Sequence, residues 1–348
     1  MGLAVRGLPR PGPRARFAIR RLGLALLVVL GSVTITFLIT RLVPSDPAAT
    51  WAGPRATLDQ IATARARLGL DRPLYEQYLS YLGQLLHGDL GVSFASKRDI
   101  ASDLATMLPA TLEPLILATI LAFAVGIPVG VLAAARPGSI LDQAARLLSV
   151  TSVSLPTFWL ALLLQLLFFK QLGWLPLSGR VSDAIALNSP VHPVTGFYLL
   201  DTALAGNWAA FRDVALHLVM PVLVLATYPA GIAIRMTRAA MAEVLAERYI
   251  LSARALGISE RAILFRYALR NAILPTITVL GLSFAYSITG AFLVEVIFSW
   301  PGVGAYTAAA VSNLDFPVVV ATTLVVTVLY VAINLVVDLL HAWLDPRI

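Results

Sequence analysis

The sequence predicts an all-α polytopic membrane protein with six transmembrane helices and both termini in the cytoplasm. Three observations predict it. Of the 348 residues 58% are apolar and 13% charged, where soluble domains run near ~25% charged, and the mean hydropathy is +0.82. Six windows of about 20 residues carry almost no charge, the length a ~30 Å hydrocarbon core demands of a helix that satisfies its own backbone. Finally, the net charge of +7 is unevenly spread along the chain.

Residues 1–17 form a basic cytoplasmic tail. Arg6, Arg10, Arg14, Arg16, Arg20 and Arg21 come before or just inside the first span, with no acid among them. The positive-inside rule places that end in the cytoplasm. The first span, 18–40, holds a 19-residue apolar run over 22–40. A basic flank before an apolar run also opens signal peptides. No small-x-small cleavage site follows, so an uncleaved span is expected.

Segment 41–109 sets seven basic residues against seven acidic ones and is read as extracytoplasmic. It is too long for a bare loop. Thr57-Leu-Asp-Gln60 is a capping box that opens a helix ending near Gly69. A second helix follows Pro73, with Tyr75, Tyr78, Leu79, Leu82, Leu85 and Leu86 at spacings of three and four. That stripe lies on the membrane surface, on a partner, or on the subunit's own outer face.

The remainder, 110–348, carries five spans near 110–135, 147–169, 214–235, 273–295 and 318–342. Arg136 and Arg146 flank the loop 136–146, and 235–272 bears seven arginines against three glutamates, so both are cytoplasmic. Segment 170–213 balances three against three and faces outward. Pro128, Pro156, Pro221 and Pro229 fall within spans, where each removes a backbone hydrogen bond and can kink a helix.

Several function classes are excluded. There is no cysteine for a disulfide, an Fe–S cluster or a thiolate metal site, and His87, His192, His217 and His341 form no HExxH pair. The two lysines, Lys97 and Lys170, follow serine and phenylalanine, so no glycine-lysine P-loop exists. Energy for any pump must then come from a partner. The ionisable residues of the spans, Glu113, His217, Glu295 and Asp338, sit at their ends, while Gln165 and Asn334 lie further in. That pattern offers no proton or sodium relay and disfavours an ion-coupled secondary transporter. Nor is there a Ser-His pair or aspartate pair at depth for an intramembrane protease.

The loop "RYILSARALGISERAILFRYALRNAILP" concentrates Arg248, Arg254, Arg261, Arg266 and Arg270. A helix over 249–256 meets Gly257, suited to the left-handed C′ position. Ser259 then caps a second helix from Glu260 to about Asn271. The expected product is a knob with Ile258 near its tip, able to fill a cleft on another protein. "SARALGIS" also resembles the centre of a DNA-reading helix-turn-helix. Tethering between spans and three interspersed glutamates argue against nucleic acid. Arginines that only obey the positive-inside rule are the plainer alternative.

The run 220–281, "MPVLVLATYPAG…ILPTITVLG", resembles the permease subunit of bacterial ABC importers of the dipeptide, oligopeptide and nickel branch. So do "GLDRPLYEQYLSYLGQLLHGDLGVSF", "SLPTFWLALLLQLLFF", "LGWLPLSG", "VEVIFSWPGVG" and "DLLHAWLDPRI". The resemblance implies a MetI-like type I importer core after an extra N-terminal span, with a coupling (EAA) loop over 236–272 that docks on an ATPase subunit. Aligned on Gly257, that motif falls on Leu251, Ser252 and Ala253, with Tyr267, Leu269 and Arg270 at its later positions. Ala253, Gly257 and Leu269 fit strictly, and the usual glutamate is missing. The expected coupling residues are Leu251, Ser252, Ala253, Arg254, Ala255, Gly257, Ile258 and Arg261.

For partners, the resemblance implies a second homologous permease, two ATPase subunits that use ATP and Mg, and an external substrate-binding lipoprotein. It implies no cofactor on this chain. The substrate is a peptide in the commonest case, with nickel, opines, glutathione and sugar left open. Glu295, Trp300, Pro301, Gly302 and Gly304 combine a carboxylate, an aromatic and two glycines at the outer boundary. They are expected to form an outer gate or binding-protein contact, or else an aromatic-belt anchor.

Overall fold

The computed structural model describes residues 13–42, 46–53 and 55–344. Among them the only strand-like pairing is one antiparallel bridge, Val92 to Asp99; the rest is helices and their connections. The tail arginines Arg6 and Arg10 lie outside the described residues.

Helix α1 (Pro13–Leu42) is followed by α2 (Pro47–Ala52), α3 (Leu58–Arg67) and α4 (Leu74–Leu86). The capping box forms: the Gln60 amide donates to Thr57 Oγ1 at 3.3 Å and the Thr57 amide to Gln60 Oε1 at 2.9 Å. The stripe on α4 divides. Tyr78 shares a 2.6 Å hydroxyl hydrogen bond with Thr34 of α1, and its ring lies 5.3 Å from Phe37, whereas Tyr75, Leu79 and Leu86 are exposed. Tyr78 of the stripe therefore packs on the subunit's own first span.

Helix α5 (Ile100–Ala135) begins ten residues before the expected span, capped by Asp99. Then come α6 (Ile140–Ser154), α7 (Thr157–Leu164) with a π-helical extension over Gln165–Gln171, α8 (Asp183–Asn188), α9 (Tyr198–Leu204) and α10 (Trp208–Leu245). Helices α5 and α10 are the central pair. A Cβ on Gly126 would overlap Ala233, and one on Gly130 would fall 2.7 Å from Thr237 Cβ. Small residues let two backbones close in lipid, where hydrophobic pressure between helices is missing.

The third span departs from expectation. In place of one helix over 147–169, α6 and α7 meet at 105° around Leu155 and Pro156. Proline has no N–H to donate and pushes the preceding residue out of the helical region, and Leu155 is extended at φ −74°, ψ 125°.

After α11 (Arg248–Ala255), α12 (Glu260–Ala262) leads through a π-helical stretch, Ile263–Ala268, into α13 (Leu269–Ile297). The second loop helix therefore does not stop near Asn271. No glycine or proline interrupts 260–274, and the Asn271 side chain donates sideways to Tyr249 Oη at 2.8 Å. Helix α14 (Val303–Ser312) is a short apolar helix between α13 and the last span, α15 (Phe316–Leu344). Arg21 of α1 and Asp338 of α15 pair at 3.0 Å, and Ser32 and Thr327 share a 3.0 Å hydroxyl hydrogen bond. The described residues hold five helices able to cross a membrane, six with the bent pair counted as one span.

Candidate functional site

The arginine-rich loop folds as an elbow whose turn is closed by a Schellman motif. Gly257 takes φ +76°. Its amide donates to the Arg254 carbonyl at 3.0 Å, and the Ile258 amide donates to the Ala253 carbonyl at 3.1 Å. These bonds satisfy helix-end carbonyls that would otherwise be orphaned. Arg254 reaches over the turn to Glu260, Nε to Oε1 at 2.8 Å. Both side chains are substantially exposed, so the pair orients the turn and adds little stability.

One face of the elbow is cemented into the bundle. Ile250 and Ala253 of α11 join Ile263, Leu264 and Ala268, together with Val131 of α5 and Met241 of α10, in one buried cluster. The opposite face is bare: Leu251, Ser252, Arg254, Ala255 and Arg261 are exposed, and Leu256 is 80% exposed. Ile258 is not the tip. As the C″ residue of a Schellman motif it folds back over the helix it ends, against the cluster containing Ala253. Leu256 holds the apolar apex instead. Its position one residue before the turn glycine was the available signal. Arg248, Arg261, Arg266 and Arg270 are exposed and have no salt bridge among the described residues.

The second predicted cluster lies at the opposite end of α13. Glu295 is 2% exposed and accepts from Thr111 Oγ1 at 2.6 Å and from the Ala305 amide at 3.0 Å, at the start of α14. Thr111 Oγ1 in turn accepts the Val303 amide at 2.8 Å. Trp300 is 1% exposed and donates its indole N–H to the Ala110 carbonyl at 2.7 Å. It faces protein rather than the lipid boundary, so the aromatic-belt reading fails. Gly302 is buried, and any Cβ there would overlap the Glu295 carboxylate; Gly304 is half-buried and Pro301 exposed. Together these residues fasten α14 to α5 and α13.

Two ion-pair centres escaped the sequence reading. Asp142 is fully buried near the elbow end of α6 and accepts from Arg146 at 2.8 Å, from the Gly138 amide at 2.9 Å, and from Arg238 of α10. The four-residue spacing to Arg146 was legible; the long-range partner was not. At the far end Glu113 pairs with Arg180 at 2.6 Å, both under 10% exposed, and accepts the Leu199 amide at 2.7 Å. The Arg180 guanidinium lies 3.5 Å from the Tyr198 ring centroid. Asp201 accepts from the Val194, Thr195 and Gly196 amides and the Thr195 hydroxyl. Burial pushes its carboxyl upward, but those hydrogen bonds outweigh it and hold the group below the ordinary carboxylate value.

A bundle of spanning helices with a rigid elbow at one end has the architecture of the membrane subunit of a transport system. Residues 126–348 match the family described as "Binding-protein-dependent transport system inner membrane component", and residues 14–114 match "Binding-prot-dependent transport system membrane comp, N-term". The chain belongs to this family: it is a permease subunit of an ABC importer, a multi-pass inner-membrane protein and not an enzyme. It is 46% identical over 322 residues to the probable D,D-dipeptide transport system permease protein DdpB of Escherichia coli (strain K12), covering 92% of this chain and 94% of that one. It is 42% identical to the dipeptide transport system permease protein DppB of the same strain, over 96% and 98% of the two chains. The di/tripeptide transport system permease protein DppB of Pseudomonas aeruginosa (strain UCBPP-PA14) is 43% identical over 95% and 98%. The chain therefore works in a complex with other subunits.

Proposed function

We propose that this chain forms half of a translocation path for small peptides and that ATP-driven work enters it through the elbow at 248–271. The relatives' names support the peptide class, since three of them are dipeptide, D,D-dipeptide or di/tripeptide permeases. One observation carries the coupling role: the apolar apex Leu256 and, on α11, Leu251 stand exposed on an elbow whose other face is locked to α5, α10 and α13. A push on such a knob moves three helices together, because packed interiors transmit strain instead of absorbing it. Two ATPase subunits that bind ATP and Mg are the partners for this face. A second permease and an external binding lipoprotein complete the assembly, and the arginine-rich tail and loops support cytoplasmic termini. Alternating access then follows from the higher affinity of ATP for one arrangement of the pair.

At the other end, Glu295, Trp300, Pro301, Gly302 and Gly304 act as one unit, carrying α14 with α13 when the outer side opens. The test is co-purification. Leu256→Asp in the assembled transporter is expected to shed the ATPase subunits and abolish peptide uptake while the permease stays folded. Retention of both would remove the elbow from the coupling path.

A further inference from the structure

The break between α6 and α7 opens a cavity of about 190 Å³, lined by Pro156 and Thr157 at the break, Tyr228 of α10, and Tyr286, Ser287 and Gly290 of α13. Tyr228 stands near the middle of α10 and Tyr286 in the central part of α13. Their ring centroids are 5.6 Å apart, tilted by 36°. The hydrogen bonds of the described residues include none from either phenol. Tyr286 is 64% exposed. A phenol hydroxyl facing hydrocarbon at that depth would lose its water without gaining a partner, so this face suits polar contents better than lipid.

Gly290 lines the same cavity. A Cβ there would meet nothing within 4 Å, yet glycine inside a helix is less stable than alanine. Clearance toward the cavity gives the residue a purpose. The volume is below the ~300 Å³ at which pockets begin to enclose a whole ligand, so this chain supplies one wall and a second permease the other.

We infer that the cavity is a waypoint on the translocation path, where Tyr228 and Tyr286 hold a small peptide through its backbone. Phenol hydroxyls both donate and accept, matching the amide N–H and C=O that every peptide carries. Ring faces cover side chains of any kind, which suits a passage tolerant of peptide sequence. The inference rests on the assignment of this chain as half of a peptide path.

The experiment uses the complete transporter in proteoliposomes, with radiolabelled Ala-Ala as the probe. Gly290→Trp, whose side chain enters open space, is expected to cut uptake at least about tenfold while both ATPases and the second permease still co-purify. Tyr228→Phe combined with Tyr286→Phe is expected to lower uptake roughly five- to tenfold, as the loss of one or two modest hydrogen bonds implies, with ATP hydrolysis retained. Because the chain has no cysteine, Tyr286→Cys is the one thiol on this subunit, and its labelling is read on this subunit's own band after electrophoresis. Its thiol should react with a charged maleimide much faster than that of Leu27→Cys on the outer face of α1. Normal uptake by Gly290→Trp, equal reactivity of the two thiols, or loss of the second permease from Gly290→Trp would overturn the inference while leaving import by the wild type intact. A wild-type transporter that imports no Ala-Ala would instead overturn the peptide reading, and this inference with it.

Discussion

The Ile258 amide donates to the Ala253 carbonyl at 3.1 Å, so the residue after the turn glycine is tied to the last helical turn before it. That bond makes the elbow a fixed shape instead of a hinge. It also requires the left-handed backbone at Gly257, whose Cβ position is sterically open.

Gly257→Val is therefore a test of backbone conformation alone. The left-handed state costs an L-residue about 1–2 kcal/mol, more when β-branched. Membrane insertion should be normal, with ATPase co-purification and uptake lost. Gly257→Asn, which tolerates that region, should retain most of both.

Ile250 and Leu256 should separate stability from coupling. Ile250→Ala empties part of a fully buried cluster and should cost about 2–5 kcal/mol, seen as a lower thermal midpoint in detergent. Leu256→Ala should leave the midpoint unchanged and weaken ATPase binding, measured by titrating ATPase against immobilised permease.

Removing one member of the buried Glu113–Arg180 pair strands the other. Glu113→Gln is expected to destabilise by about 3–5 kcal/mol, and Glu113→Leu with Arg180→Met by less than Arg180→Met alone. A double-mutant cycle on thermal midpoints checks this.

Asp201 predicts an acid limit. Its folded-state value is depressed, so its contribution is complete above the unfolded value near ~3.9 and is lost as pH falls through the folded value. Hydrogen exchange at the Val194, Thr195 and Gly196 amides should show unchanged protection from pH 5 upward and loss in stronger acid. Asp201→Asn should lose part of that protection at neutral pH.

The spans were legible because lipid leaves the backbone few options, and a charge-free stretch of sufficient length declares itself. The capping box and the Gly257 turn were legible because each is a local bargain between neighbours in sequence. What stayed hidden depends on distant residues. Pro156 announced a bend, but neighbours in sequence carry no signal for its 105° size. Trp300 and Glu295 had the composition of a surface feature, and only their contacts with Ala110 and Thr111 reveal them as interior fasteners. Ile258, expected near the tip, lies inward and leaves Leu256 at the apex because a Schellman turn folds its second residue back over the helix.

The bent third span also bears on how the protein is made. Its two arms are α6, at 15 residues, and α7, whose eight α-helical residues run on through seven in π geometry. Each is shorter than the ~20 residues a lone segment needs to cross a bilayer. Neither arm can settle into the membrane by itself as it leaves the ribosome. Both must wait for α10, which supplies the wall they lean on, so in a chain truncated before residue 208 the bent pair should fail to integrate, although α1 and α5 are long enough to cross alone.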